Sequence, residues 1–307
     1  MNPYLREQPR PLRVANVGHR GAMGLRPENT LPSFELAYDL GAHMVELDVH
    51  LSRDGVPVVI HDDTVGRTTD ASRRRPGRAP FVSDLTLAEL RELDAGTWFV
   101  AALDRGPPPP HGPTDEERRR FLDGAARAAL ESGAVRVPTL EEVLVLARSR
   151  GRRVNVELKA MPRRYARLVP AVVDVIRATQ TQELVLLSSF DHVALVEAKR
   201  LAPELPTAAL VVSRLHDPGR YVADVLGGDA WNPGCVGECD SLGFGSEAYA
   251  SDGVRALDRA GIESAHARGV SVHTWTANDP AQLRALIDLG VDGIITDYPN
   301  RLAALLP

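Results

Sequence analysis

The sequence predicts a (β/α)8 TIM barrel. Short strand-like runs recur along the chain, amphipathic helical stretches separate them, and 307 residues suit one such barrel. Eight runs qualify as strands: 13–18, 44–49, 153–158, 184–189, 207–212, 241–245, 270–276 and 292–297. Helical stretches fall between them, at 31–40, 140–150, 191–201, 262–268 and 280–289 among others. Thr139 and Glu142 have capping-box spacing, Leu140, Val143, Leu144 and Ala147 form one stripe, and Gly151 stands at C′. The sixth unit, around "SLGFG", carries the weakest strand signal.

Bulk properties narrow the function classes. A hydrophobic content of 44% and a charged content of 25% are those of a globular protein. The net charge of −5 gives no support for nucleic-acid binding, which usually shows a basic face. The first residues lack an apolar signal-like core, and no run approaches the ~18 apolar residues of a membrane span. The expectation is a cytoplasmic protein without stable membrane insertion. Cys235 and Cys239 are expected as free loop thiols, since two cysteines make no framework. Nothing in the sequence sets an oligomeric state.

One region breaks the βα rhythm. About 75 residues separate His61 from Thr139, too many for a plain barrel connection. We read 1–307 as a single barrel domain and 62–138 as an insertion on it, acting as a lid or substrate wall. "RRRPGR" and "GPPPPHGP" predict irregular backbone there. "TDEERRRFLDGAARAALESG" predicts one helix, with Thr114 and Glu117 as capping box, Phe121, Ala125 and Ala129 on a stripe, and Gly133 as stop.

The chemistry concentrates at strand ends, where barrels carry their active sites. Residues two apart share a strand face, so Glu46 and Asp48 point together, as do Glu157 and Lys159. Three carboxylates converging on a barrel mouth repel unless a cation joins them, and oxygen-only donors suit Mg²⁺ or Ca²⁺. "HLSRDGVPVVIHD" predicts a hairpin turning at Arg53-Asp54-Gly55, which brings residue 60 opposite residue 48 and His61 beside the acids. His19 and Arg20 follow the first strand directly, between flexible glycines. Arg20 and Lys159, with a divalent metal, would balance a phosphate. His19 and His61 provide a proton acceptor and a proton donor for in-line displacement at phosphorus.

"GHRG…PENT", "VELDVHLSRDGVPVVIHD", "PTLEEVL", "NVELK", "HTWTANDP" and "GVDGIITDYP" occur in order from residue 17 to 299. Together they resemble the glycerophosphodiester phosphodiesterase family. The resemblance implies a (β/α)8 barrel with a small insertion after the second strand hairpin. It also implies metal-dependent hydrolysis of a small-molecule glycerophosphodiester to sn-glycerol 3-phosphate and an alcohol. On that pattern His19 and His61 are the acid/base pair, Glu46, Asp48 and Glu157 hold Mg²⁺ or Ca²⁺, and Arg20 and Lys159 hold phosphate. Trp275 would line the substrate pocket. Glu28 can orient Arg20 by a bidentate pair. His273 reads as packed, and His50 as lying beyond the metal shell.

Other readings stand beside this one. A lysophospholipase D-like enzyme would act on lysolipids, with Phe81, Trp98 and Phe99 of the insertion meeting the acyl chain. A sugar isomerase also gathers carboxylates and a lysine on barrel strands, but needs neither Arg20 nor His61. A non-catalytic barrel would bind a phosphodiester or metal without turnover.

Overall fold

The computed structural model describes residues 14–74, 77, 79–105, 112–161, 165–235 and 257–307. Among the described residues nine strands form one sheet: β1 (Ala15–Gly18), β2 (Met44–Leu51), β3 (Pro57–Val59), β4 (Arg153–Leu158), β5 (Val185–Ser189), β6 (Thr207–Val211), β7 (Ala230–Pro233), β8 (Ser271–Thr274) and β9 (Gly293–Thr296). Eight are parallel, in the order β1-β9-β8-β7-β6-β5-β4-β2, and pairing of β1 with β2 closes the barrel. The ninth, β3, runs antiparallel on β2 as the returning arm of the hairpin. The register is the expected one: Val49 faces Val59, and the Ile60 N–H donates to the Asp48 carbonyl at 3.0 Å.

Strand periodicity explains how the barrel places a site. Val17, Met44, Leu186, Ala208, Ala230 and Ile295 form one buried cluster. Two residues further along those strands come His19, Glu46, Ser188, Leu210, Asn232 and Asp297, on the same inward face. The apolar cluster is therefore a plug beneath the barrel mouth. Intervening residues such as Leu47, Val156 and Leu187 point outward and pack with Phe34, Leu144 and Ile176 of the surrounding helices.

The local punctuation follows the sequence closely. The helix Leu140–Ser149 begins with the Thr139–Glu142 capping box, and Gly151 takes φ +59 just past its end. The helix Pro280–Leu289 opens on Asp279, whose carboxylate accepts two backbone N–H groups. Cys235 is buried, and its Sγ donates to the Thr276 carbonyl. Cys239 lies outside the described residues.

Two expectations need correction or relocation. The strand expected at 241–245 lies outside the described residues, and the barrel position between β6 and β8 is taken by Ala230–Pro233. Its sequence, Ala-Trp-Asn-Pro, holds two poor strand formers, so neighbours on both sides impose the extended backbone. The second correction concerns 114–133, which is not one helix but two, Asp115–Phe121 and Gly124–Glu131. Leu122 leaves helical geometry (φ −123, ψ 43), and Asp123 caps a new helix by accepting from the Ala126 N–H. An Asp-Gly step competes well with helix continuation, and the Phe121–Ala125–Ala129 stripe dissolves.

The described part of 62–138 carries its own buried cluster, with Val65, Val82, Leu90, Phe99 and Leu130 packed on Val58 and Ile60 of the hairpin. The "RRRPGR" and "GPPPPHGP" segments fall largely outside the described residues. On its far side the insertion is clamped to the chain after β9. Arg301 donates to both oxygens of Glu117, at 2.9 and 2.6 Å, and Asn300 adds a bond of 2.7 Å. Arg301 also lies 3.7 Å from the Tyr298 ring centroid.

This clamp makes stability pH-dependent. Burial alone would raise the Glu117 carboxyl, but bonds from Arg301, the Thr114 N–H and Asn300 bring it down to about 2. The folded value lies below the ordinary one, so the stabilisation is complete above about pH 4.5 and is lost as pH falls towards 2. Glu117→Gln is expected to cost about 2 kcal/mol in urea unfolding at pH 7, because it removes the charged acceptor of the Arg301 guanidinium. The gap to the wild type should narrow progressively below pH 4.

Candidate active site

Glu46 and Asp48 stand on β2 and Glu157 on β4, with Asp48 and Glu157 directly paired across the parallel ladder. All three are buried, and one oxygen from each lies within 4.8 Å of the others. Burial drives the Glu46 carboxyl well above the ordinary carboxylate range, and the charges of Asp48 and Glu157 add to it. Burial would raise Asp48 too, but His61, Lys159, Arg20 and a hydrogen bond from Asn29 hold it well below that range. The cluster is thus short of positive charge on its Glu46 side. A hard divalent cation fits this donor set, and Mg²⁺ and Ca²⁺ suit carboxylate oxygens.

The two expected phosphate-binding cations border the acids. The Lys159 ammonium donates to Glu157 at 2.9 Å and lies 3.4 Å from Asp48. Arg20 lies 3.4 Å from Asp48 through Nε and donates to Glu28 through Nη1 at 2.9 Å. Its backbone N–H donates to Glu46 at 3.0 Å. This wrapping requires Arg20 to adopt φ +46, followed by Gly21 at +87, where a Cβ would strike Ser33.

"PENT" now has a physical reason. Glu28 is the partner of Arg20. Asn29 takes φ +56 and its side chain bonds Asp48 twice, Nδ2 to the carboxylate at 2.8 Å and Oδ1 from the Asp48 N–H at 3.3 Å. Asparagine tolerates that conformation better than most residues. The bidentate pairing expected between Glu28 and Arg20 is instead made between Glu28 and Arg67, with two bonds of 2.8 Å.

Both histidines reach the same cavity, and an aspartate backs each one. His19 Nδ1 bonds Asp297 at 2.7 Å, leaving Nε2 at 4.0 Å from Glu46. Asp297 is held in turn by Asn278, whose Nδ2 donates to it at 2.6 Å and whose Oδ1 accepts its N–H at 2.9 Å. Burial and Arg20 depress His19, but the bond and charge of Asp297, with Glu46, outweigh them and push it up to about 9. His61 Nδ1 bonds Asp62 at 2.8 Å. His50 is buried and bonds the His61 carbonyl through Nε2 at 3.0 Å and Tyr165 through Nδ1 at 2.9 Å. Burial lowers His50 to about 4, so it is a neutral support behind His61.

His19, Arg20, Glu46, His61, Glu157 and Lys159 line one side of a cavity of about 370 Å³. Phe190, Leu210, Trp275 and Ile295 form an apolar wall. Trp275 donates its indole N–H to the Asn232 carbonyl at 2.8 Å and meets Phe190 edge-on, with centroids 5.5 Å apart. His273 is buried in the barrel and absent from the lining. Phe99 belongs to the insertion's own core, and among the described residues Phe81 and Trp98 do not line this cavity either.

Asp297, Asn278, Asn29 and Arg67 escaped the sequence reading. Asp297 could have been found, since it ends the last strand on the inward face. The Asn278 and Arg67 contacts span loops and leave no spacing signal.

A model of the glycerophosphoryl diester phosphodiesterase family matches residues 19–301. The chain belongs to that family. A glycerophosphodiester phosphodiesterase of Caldanaerobacter subterraneus is 31% identical over 290 residues, covering 94% of this chain and 96% of that protein. A phosphodiesterase of Oleispira antarctica, solved in complex with the product sn-glycerol-3-phosphate, is 28% identical with a TM-score of 0.70, covering 95% and 96% of the two chains. A glycerophosphodiester phosphodiesterase structure from Agrobacterium tumefaciens is 25% identical with a TM-score of 0.65, covering 95% and 99%.

The acid cluster makes a calorimetric prediction. Titration with Mg²⁺ or Ca²⁺ should show one site, and Asp48→Asn or Glu157→Gln should weaken it at least about 10-fold. Binding that survives either substitution would place the ion elsewhere.

Proposed function

We propose that this protein hydrolyses glycerophosphodiesters to sn-glycerol 3-phosphate and an alcohol. One observation carries the reading: two aspartate-backed histidines, two cations and two members of a compact carboxylate triad, Glu46 and Glu157, line one cavity, with Asp48 buried beside them. Membership of the family and the product-bound Oleispira relative support the substrate class.

Glu46, Asp48 and Glu157 would hold Mg²⁺ or Ca²⁺. Such an ion, when bound, polarises a phosphoryl oxygen and offsets the charge that builds during displacement. Arg20 and Lys159 bind the non-bridging oxygens and keep the phosphorus in line with the attacking group. With Nδ1 tied to a carboxylate, each histidine presents Nε2 to the reaction. One takes the proton of the nucleophile and the other gives one to the leaving oxygen. The nucleophile is water or the glycerol 2-hydroxyl, the latter giving a cyclic phosphate that water opens. Trp275 and Phe190 pack against the carbon skeleton of the substrate. The segment 62–138 serves as a subdomain that supports the mouth from outside. Among the described residues no helix is long and apolar enough to cross a membrane.

The test is release of glycerol 3-phosphate from glycerophosphocholine by metal-stripped protein, with Mg²⁺, Ca²⁺ or EDTA. Turnover should require metal and fall ~10³-fold or more in His19→Ala and in His61→Ala. Cleavage of lysophosphatidylcholine but not glycerophosphocholine would move the function to lipids. Metal binding without any turnover would make the barrel a binding protein.

Asp297→Asn should lower kcat about 10²-fold with little change in KM, since it removes the group that orients His19 without touching the phosphate site. Steady-state kinetics on glycerophosphocholine checks this, and an equal rise in KM would contradict it.

A further inference from the structure

Arg67 lies in the insertion, six residues beyond His61, and its side chain is 43% exposed. An arginine so placed would ordinarily be a solvated surface charge. Instead its guanidinium makes four hydrogen bonds, all of 2.8 Å. Nη1 and Nη2 donate to the two oxygens of Glu28, and Nε and Nη2 donate to the two oxygens of Asp62. Both carboxylates are engaged bidentately, from adjacent edges of one planar fork.

The oxygens concerned matter most. Glu28 Oε1 accepts from Arg67 Nη2 and also from Arg20 Nη1 at 2.9 Å. Asp62 Oδ1 accepts from the same Arg67 Nη2 and also bonds His61 Nδ1 at 2.8 Å. A single nitrogen therefore joins the oxygen that holds Arg20 to the oxygen that holds His61.

We propose that Arg67 is a positioning residue that locks the phosphate-binding arginine and one acid/base histidine into a common frame, through the chain Arg20–Glu28–Arg67–Asp62–His61. The inference rests on the reaction proposed above. Arg20 and His61 both stand on loops beyond strand ends, 41 positions apart in sequence, where strand pairing does not set side-chain direction. His50 fixes the main chain of His61, and Asp62 is what turns its ring. Without Arg67, Glu28 has Arg20 as its remaining guanidinium partner and Asp62 loses the fork that aims it. Lysine cannot replace the fork, because an ammonium is a point charge and cannot engage two carboxylates edge-on.

The chain's two arms predict a kinetic pattern that a merely structural residue would not produce. With glycerophosphocholine and saturating Mg²⁺, Asp62→Asn should lower kcat about 10-fold and leave KM within about twofold. Glu28→Gln should raise KM about 10-fold with the smaller effect on kcat. Arg67→Lys and Arg67→Ala should do both. Adding Asp62→Asn to Arg67→Ala should then change kcat no further, because the arm is already released. Guanidinium chloride at low, non-denaturing concentration should restore activity to Arg67→Ala, and ammonium chloride at equal ionic strength should not.

Mg²⁺ titration of each variant shows that its acid cluster is still folded. If Arg67→Ala does not fold, Arg67→Lys and Asp62→Asn carry the test alone. Arg67 variants within twofold of an active wild type, or a kcat loss that simply adds to that of Asp62→Asn, would overturn the brace and leave the proposed reaction intact. A wild type that releases no glycerol 3-phosphate would overturn the reaction, and the brace with it.

Discussion

Three carboxylates held within 4.8 Å of one another in a buried site are the constraint around which this molecule is organised. At that spacing their mutual repulsion is strong, and burial strengthens it by removing water. The barrel can impose the arrangement because Asp48 and Glu157 are register partners on adjacent parallel strands, while Glu46 lies two residues below Asp48 on the same face. Neighbouring features answer the resulting charge. Lys159 sits two residues beyond Glu157, Arg20 folds back in a left-handed turn, and Asn29 donates to the most buried acid.

The two histidines reach this cluster by different routes. His19 is carried by the end of β1, and Asp297 comes from the adjacent β9, so barrel closure itself creates their contact. His61 arrives on the hairpin β2–β3, and its partner Asp62 is the next residue. The first pair is held by the scaffold, with Asn278 behind Asp297, and the second by local chain with supports of its own. His50 grips the backbone of His61, while Arg67 grips Asp62.

The insertion acquires a consistent meaning from this asymmetry. It packs its own core on the back of the hairpin that delivers His61. Glu117 pins it to Arg301, whose Nη1 also donates to the carbonyl of Asn278, the residue that holds Asp297. The segment thus supplies the supports of His61 directly and is linked to the support of His19 through Arg301, while among the described residues it does not line the cavity.

The sequence by itself determined the barrel, the hairpin register and the acids, histidines and cations of the mouth, because each follows from local periodicity. A strand repeats every two residues, so Glu46 with Asp48 and Glu157 with Lys159 must share faces, and a tight turn at Asp54-Gly55 must return residue 60 to residue 48. Where local preference was weak or misleading, the chain could not be read this way. Ala-Trp-Asn-Pro becomes a strand because β6 and β8 leave a slot that only extended backbone fills, and Asp123 divides a helix whose composition looked continuous. Tertiary structure alone decided the contacts of Asn278 and Arg67, and moved the fork of Glu28 from Arg20 to Arg67. Those contacts join loops that only barrel closure and docking of the insertion bring together, and no periodicity along a chain encodes a meeting of that kind.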